Sequence, residues 1–274
     1  MFKPCQVKII GMHMSFFTLF LFLTWILCFS GTPLGSMAIP QIIEEACHEA
    51  EIYHNAGIDG LIIENMHDIP YTFSVGPEVC ASMTVVCAAV RGICPSLPLG
   101  VQILSAANSS AVAVALASGM DFIRAEGYVF SHVADEGLLN GCAGDLLRYR
   151  KQIQAEHVQI FTDIKKKHSS HALTSDVSIV ETARAAEFFL SDGLIITGTA
   201  TGVQADPVEL RDVAGSVRLP VLIGSGVTHD NVEHYLDASA MIIGSHFKRG
   251  GVWANAVDPE SVKKFMGKVR LLRK

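Results

Sequence analysis

The sequence predicts one closed (β/α)8 barrel, and three observations carry that expectation. Eight short β-branched or aliphatic runs recur along the 274 residues, helical periodicity fills the gaps between them, and no Gly/Ser-rich linker or charge block divides the chain. The runs are Val7–Ile10, Gly60–Ile63, Leu99–Leu104, Asp121–Ala125, Val158–Thr162, Gly193–Thr197, Pro220–Ile223 and Ala240–Ile243. They are apolar nearly throughout, as parallel strands covered on both faces are. Regular alternation of strand and helix implies right-handed crossovers and a parallel sheet. A doubly wound open sheet shares that alternation, but eight evenly recurring units favour closure, and the length suits one barrel of roughly 250 residues.

The helical segments follow from spacing. Ile42, Ala46, Ala50 and Tyr53 fall on one helix face, as do Leu139, Cys142, Leu146, Tyr149 and Ile153, and then Ala183, Ala186 and Leu190. Gly57, Gly119 and Gly193 stand between a helical run and a strand, where a left-handed stop is needed. Thr174-Ser175-Asp176, Asp206-Pro207 and Asp258-Pro259 read as helix starts.

Composition narrows the function classes. Half of the residues are hydrophobic and only 18% are charged, so a large core is available and disorder is not expected. A net charge of −6 gives no reason to expect nucleic acid as a partner. The seven cysteines are odd in number and form no C-x-x-C pair, and Cys80, Cys87 and Cys94 recur every seven residues. That spacing reads as buried thiols on a helix face rather than a disulfide framework, and it suits a reducing, intracellular compartment. Among eleven histidines there is no H-x-H after the first run and no H-E-x-x-H, so a tight zinc site is not expected, and the cofactor stays open. No G-x-S-x-G and no strand followed by G-x-G-x-x-G occurs, which removes the simplest hydrolase and dinucleotide readings.

One segment is out of character. Ser15–Phe29 is apolar except for Ser15, Thr18 and Thr24, and it carries no charge. It is short for a membrane span and closer to a signal-peptide core, with Lys3 and Lys8 ahead of it. No arginine precedes position 91, which argues against a mitochondrial transit peptide. The chain therefore divides into a first-strand region at 1–13, an apolar insertion at 14–30 and the rest of the barrel at 31–274. The insertion is expected to have no packed place in the barrel, so that its deletion improves solubility. It leaves membrane association or secretory targeting open.

Chemistry is expected where barrel strands end. The seventh run leads into Gly224-Ser225-Gly226 and the eighth into Gly244-Ser245, small residues whose backbone N–H groups can approach a phosphate-type anion. The other strand ends are polar. Glu64 and Asn65 follow the second run, Gln102 lies in the third, Arg124 and Glu126 end the fourth, and Thr197 and Thr199 end the sixth. The fifth ends in Asp163, Lys165, Lys167 and His168. Glu64 or Asp163 is expected as general base, Lys165 or Lys167 as the holder of substrate charge or a Schiff-base nucleophile, and His168 as an aid to proton transfer. Asp163 and Lys165 are expected to point the same way, and loss of Asp163 to abolish turnover at little cost to folding. Gly226→Val is expected to block the anion site without unfolding the protein. The alternative is a solvated lysine run paired with neighbouring carboxylates.

These residues resemble the BtpA family. The resemblance runs from Gly31-Thr32-Pro33-Leu34 through Asp59 to Asn65 with Asp68 and Pro70, Asp121 to Arg124, Asp135-Glu136-Gly137 and Leu147 to Arg150. It continues through Asp163-Ile164-Lys165, Lys167-His168, Thr197 to Gly202, Gly224 to Thr228, Ile243-Gly244-Ser245 with Lys248, and Val257-Asp258. It implies a ribulose-phosphate-binding-like barrel but no defined reaction. Gln102 and Ser105 stand where bacterial relatives tend to carry Asn and Arg. In that family a Gly-Met-x-His strand passes through a short Leu-Pro segment to Gly-Thr-Pro. Here Gly11-Met12-His13 is followed by residues 14–30 instead.

Two functions follow as expectations. The first is an enzyme acting on a small phosphorylated metabolite, a sugar phosphate or nucleotide derivative, as a lyase, isomerase or hydrolase. The second, suggested by the family's photosystem I biogenesis factor, is a non-catalytic assembly or stabilising factor for a membrane complex. Homo-oligomerisation is open in either case.

Overall fold

A computed structural model describes residues 19–25, 32, 33, 35 and 37–273. The barrel strands are β1 (Leu19–Trp25), β2 (Gly60–Glu64), β3 (Leu99–Gln102) and β4 (Phe122–Ala125). After β4, β5 (His132–Ala134) and β6 (Gly137–Leu139) form a hairpin above the barrel. The barrel resumes with β7 (Gln159–Ile164), and the two-residue β8 (Ser169–Ser170) joins β5 from the other side. The last three barrel strands are β9 (Gly193–Ile196), β10 (Val221–Ile223) and β11 (Ala240–Ile243). All eight pair in parallel in one closed ring, in the order β1-β11-β10-β9-β7-β4-β3-β2.

The helices are α1 (Ile39–Ala56), α2 (Pro77–Ile93), α3 (Asn108–Ser118), α4 (Ala143–Gln152), α5 (Ile179–Phe188), α6 (Pro207–Ala214) and α7 (Pro259–Leu272). Between β10 and β11 a single 3-10 turn, Val232–Tyr235, stands in the helix position. Ile42, Ala46, Ala50 and Tyr53 are the buried face of α1, as their spacing predicts. Gly57 and Gly119 take left-handed φ of 81° and 71° and stop α1 and α3. Asp206 and Asp258 cap α6 and α7 by accepting from Val208 and Glu260 backbone N–H groups.

Four boundaries differ from the sequence reading. Leu139 belongs to β6, so α4 starts only at Ala143. The cap of α5 is Ser178, which accepts from Glu181 N–H while Glu181 accepts from Ser178 N–H, beyond Thr174–Asp176 in the chain. Leu190 lies past the end of α5 and itself takes the left-handed turn at φ 63°. Gly193 therefore does not stop the helix; it makes room, since an added Cβ there would collide with the Phe161 ring. The fourth difference is at the front. The seat next to β2 and β11 is filled by Leu19–Trp25, from within the apolar run. Residues 7–10, expected in that seat, lie outside the described residues. Seven consecutive residues of LFLFLTW meet the requirement for a parallel strand enclosed by two neighbours as well as VKII does.

Alternation along the strands builds two cores. Leu61, Ile63, Val101, Ile123, Ile160, Leu194, Ile223 and Met241 point outward beneath the helices. Ile62, Phe122, Phe161, Ile195, Leu222, Ala240 and Ile242 point inward and fill the lower barrel. Phe122 and Phe161 meet edge to face at 5.3 Å. They fit because Gly100 and Gly193 leave the space that a Cβ would occupy. Two residues further along, five of these strands carry a buried polar side chain in the next inward layer: Glu64, Gln102, Arg124, Asp163 and Thr197.

Candidate functional site

A cavity of about 170 Å³ opens above that polar layer, on the β10–β11 side. Among the described residues its walls are the glycine turn at 224–228 after β10, the turn at 244–246 after β11, Thr201 and Gly202 after β9, and Glu64 and Lys167. Met66, Val227 and Ile242 make the apolar part. Both turns thus converge on one space, as the sequence predicts, and seven of the expected residues line it: Glu64, Lys167, Gly224, Ser225, Gly226, Gly244 and Ser245.

The turn after β10 is held from behind. Ser225 Oγ accepts from Gly198 N–H at 2.6 Å and donates to Val203 carbonyl at 2.9 Å, so its hydroxyl fastens the β9 loop. Gly226 has φ 70°, and an added Cβ would collide with the Val203–Gln204 backbone. Gly224 donates its N–H to Ile196 carbonyl at 2.7 Å, which removes it from the expected set of anion donors. No described hydrogen bond uses the backbone N–H of Ser225, Gly226, Val227 or Ser245, and all four residues line the cavity. His246 lines the cavity too. Its Nε2 accepts from His229 N–H at 3.1 Å, which places the ring proton on Nδ1, and burial lowers its pKa.

The floor is a network of charges. Arg124 donates through Nε and Nη2 to both Asp163 oxygens at 3.0 to 3.2 Å, with both side chains almost wholly buried. Burial raises the Asp163 carboxyl and Arg124 holds it back, while the guanidinium, lowered by burial alone, is raised by Asp163 and Glu64. Glu126 accepts from Lys166 Nζ at 3.1 Å and from Gln102 Nε2 at 3.3 Å. Lys166 is the buried lysine of the run, not one of the two that the sequence singled out. Gln102 Oε1 is buried without a partner among the described residues.

Glu64 differs from the other carboxylates. No described residue donates to it, burial raises its pKa to about 7, and Arg124 and Lys167 only partly offset that rise. Lys167 lines the same cavity, its pKa lowered by burial and then by Arg124. Neither group makes a described ion pair.

The remaining expected residues lie elsewhere. Asp163 lines not the main cavity but a second one of about 20 Å³, beside His132, Lys166 and His171. Lys165 lines that second cavity together with Asp163, although the chain turns between them. The strand ends at Ile164, Lys165 turns at φ 47°, and its Nζ donates to Thr174 carbonyl at 2.8 Å in that second cavity. His168 binds the β9 loop: its Nε2 accepts from Thr201 N–H at 3.1 Å and its own N–H meets Thr199 carbonyl. Thr199 is exposed, and Thr197 Oγ1 accepts from Lys167 N–H at 3.0 Å. Asn65 bridges Asp68 and the N–H of Leu104, tying two loops together. Among the described residues no three His, Cys, Asp or Glu side chains are placed to hold a metal ion.

Comparison with known proteins places this architecture. A mitochondrial protein of Caenorhabditis elegans is 47% identical over 249 residues, covering 89% of this chain and 90% of that protein. The photosystem I biogenesis protein BtpA of a Synechocystis strain is 33% identical over 231 residues, covering 83% and 79%. Among solved structures, thiamine phosphate pyrophosphorylase from Pyrococcus furiosus superposes with a TM-score of 0.57 at 13% identity, covering 92% of this chain and 96% of that one. That likeness is one of fold, a (β/α)8 barrel. Residues 28–271 match the BtpA family, and with relatives of such identity and coverage the chain belongs to it.

Proposed function

We propose that the protein is an enzyme acting on a small phosphorylated metabolite by acid/base chemistry. The observation that carries this is a meeting of groups in one cavity: two glycine turns in which the N–H groups of Ser225, Gly226, Val227 and Ser245 enter no described hydrogen bond, and a carboxyl and a lysine that pair with no described residue. The turns follow the seventh and eighth strands of the barrel, where such folds most often hold phosphate. The cavity is smaller than the roughly 300–1,000 Å³ of sites for drug-sized ligands, which points to a compact substrate. Glu64, half-protonated near neutral pH, is suited both to give and to take a proton. Asp163 does not serve as the base, because Arg124 engages both its oxygens.

The test is thermal melting with inorganic phosphate and short phosphate esters. A ligand at 100 times its Kd stabilises the native state by about 2.7 kcal/mol. Ser245→Asp, which sets a carboxylate in the anion cradle, should cancel the rise and leave the unliganded melting temperature near that of the wild type. Equal phosphate stabilisation of both proteins would place the anion elsewhere. No response to any phosphate ester would remove the reading.

A further inference from the structure

We propose that Lys167 is a nucleophile that forms an imine with the carbonyl carbon of a short phosphorylated aldehyde or ketone held in the β10–β11 cavity. The proposal rests on the phosphate reading above and names the substrate class of that site.

The geometry singles out this lysine from a run of four polar side chains. Lys165 Nζ is engaged by Thr174, Lys166 Nζ by Glu126, and His168 Nε2 by Thr201. Only the Lys167 ammonium has no hydrogen bond or ion pair to a described residue, and it alone of the four lines the main cavity. Its backbone is fixed where it leaves the strand, since its N–H donates to Thr197 Oγ1. Lys167 shares the cavity with Glu64 and with the backbone N–H donors of both glycine turns, so a phosphate has donors of its own beside the ammonium. A phosphate seated on those donors directs the rest of a short substrate at Lys167 and Glu64. Burial and the neighbouring Arg124 cation favour the neutral amine, the form that attacks.

The step balances without a further reactant. The Nζ lone pair adds to the carbonyl carbon, the C=O π pair passes to oxygen, and that oxygen takes up the proton the nitrogen gives off. The nitrogen lone pair then forms C=N as the C–O bond breaks. The hydroxyl leaves as water with the proton of the Glu64 carboxyl, giving a protonated imine beside a carboxylate. That carboxylate is placed to take the proton from the adjacent carbon, and the electron pair of the C–H bond flows into the imine.

The experiment traps the imine. Full-length protein is incubated with glyceraldehyde 3-phosphate or dihydroxyacetone phosphate and sodium cyanoborohydride, and the reduced adduct is mapped by peptide mass spectrometry. The expected result is an adduct on Lys167 that excess inorganic phosphate suppresses and that Lys167→Arg abolishes. Should Lys167→Arg fail to fold, the site of the wild-type adduct and its competition by phosphate decide alone. No adduct, or adducts spread over surface lysines and indifferent to phosphate, would overturn the proposal. If melting still responds to phosphate in that case, the imine fails and the phosphate reading stands; if it does not, both fall.

Discussion

Asp163 and Glu64 are both buried carboxylates on barrel strands, yet the structure gives them opposite work. Asp163 balances Arg124, so its loss leaves a guanidinium uncompensated in the barrel interior. Asp163→Asn is therefore expected to cost about 3–5 kcal/mol of stability, against the sequence reading of little cost. Adding Arg124→Met should restore much of it, because the charge left behind is removed too. Urea unfolding of Asp163→Asn, Arg124→Met and the double variant checks this, and additive losses would refute the pairing. Glu64 has no such partner among the described residues and titrates near 7 when folded, against 4.5 as an ordinary carboxyl. Below about pH 4.5 both states hold the proton and Glu64 costs nothing. As pH rises toward 7 the unfolded chain releases its proton first, so stability falls, by at most about 3 kcal/mol. Glu64→Gln should flatten that decline and be more stable than the wild type at alkaline pH. An unchanged slope of melting temperature against pH would show that another group titrates.

At the scale of elements, the site is made by turns that hold each other. Loop 198–204 after β9 is fastened to the β10 turn by Ser225 and to the β7 loop by His168. Gly226 is where the two backbones touch, so it is a packing position before it is a ligand position. Gly226→Val therefore cannot isolate the anion site as the sequence suggested. Even Gly226→Ala combines a positive φ with a backbone collision, and it should lose about 2 kcal/mol or more. Ser225→Ala should loosen the same loop by about 1 kcal/mol while sparing the backbone donors. Chemical denaturation of both, with phosphate binding followed on the Ser225 variant, separates the two roles. Other charges are engaged in holding strands. Asp121 pairs with Arg91 and accepts from Leu99 N–H, and Asp192 pairs with Arg150 and accepts from Ile160 N–H. One device, used twice, fixes strand starts.

For the molecule as a whole, closure depends on the strand between β2 and β11. That place is taken by Leu19–Trp25, so deletion of residues 14–30 removes a barrel stave rather than a loop. The deletion is expected to abolish cooperative melting and to expose the apolar edges of β2 and β11 to aggregation. A variant that keeps a sharp transition would show that another N-terminal segment, residues 7–10 first among them, can fill the seat.

Periodicity in the chain was enough to determine the barrel, because a strand buried on both faces and a helix buried on one leave patterns that local residues alone write. Seven of the eight runs became barrel strands near their expected limits, and Gly57, Gly119, Asp206 and Asp258 act where local backbone chemistry requires. The sequence also marked the mouth, since polar residues two positions beyond an inward apolar one must reach the next layer. What it could not determine was which polar group meets which. Asp163 and Glu64 are equivalent as text, and Arg124, brought from another strand, decides that one is neutralised and the other is not. Lys165, Lys166 and Lys167 are three equal letters until a φ of 47° at Lys165 turns the chain and sends them to Thr174, to Glu126 and to the open cavity. The choice of first strand was likewise tertiary: two apolar runs satisfy the same local pattern, and only pairing with β2 and β11 distinguishes them.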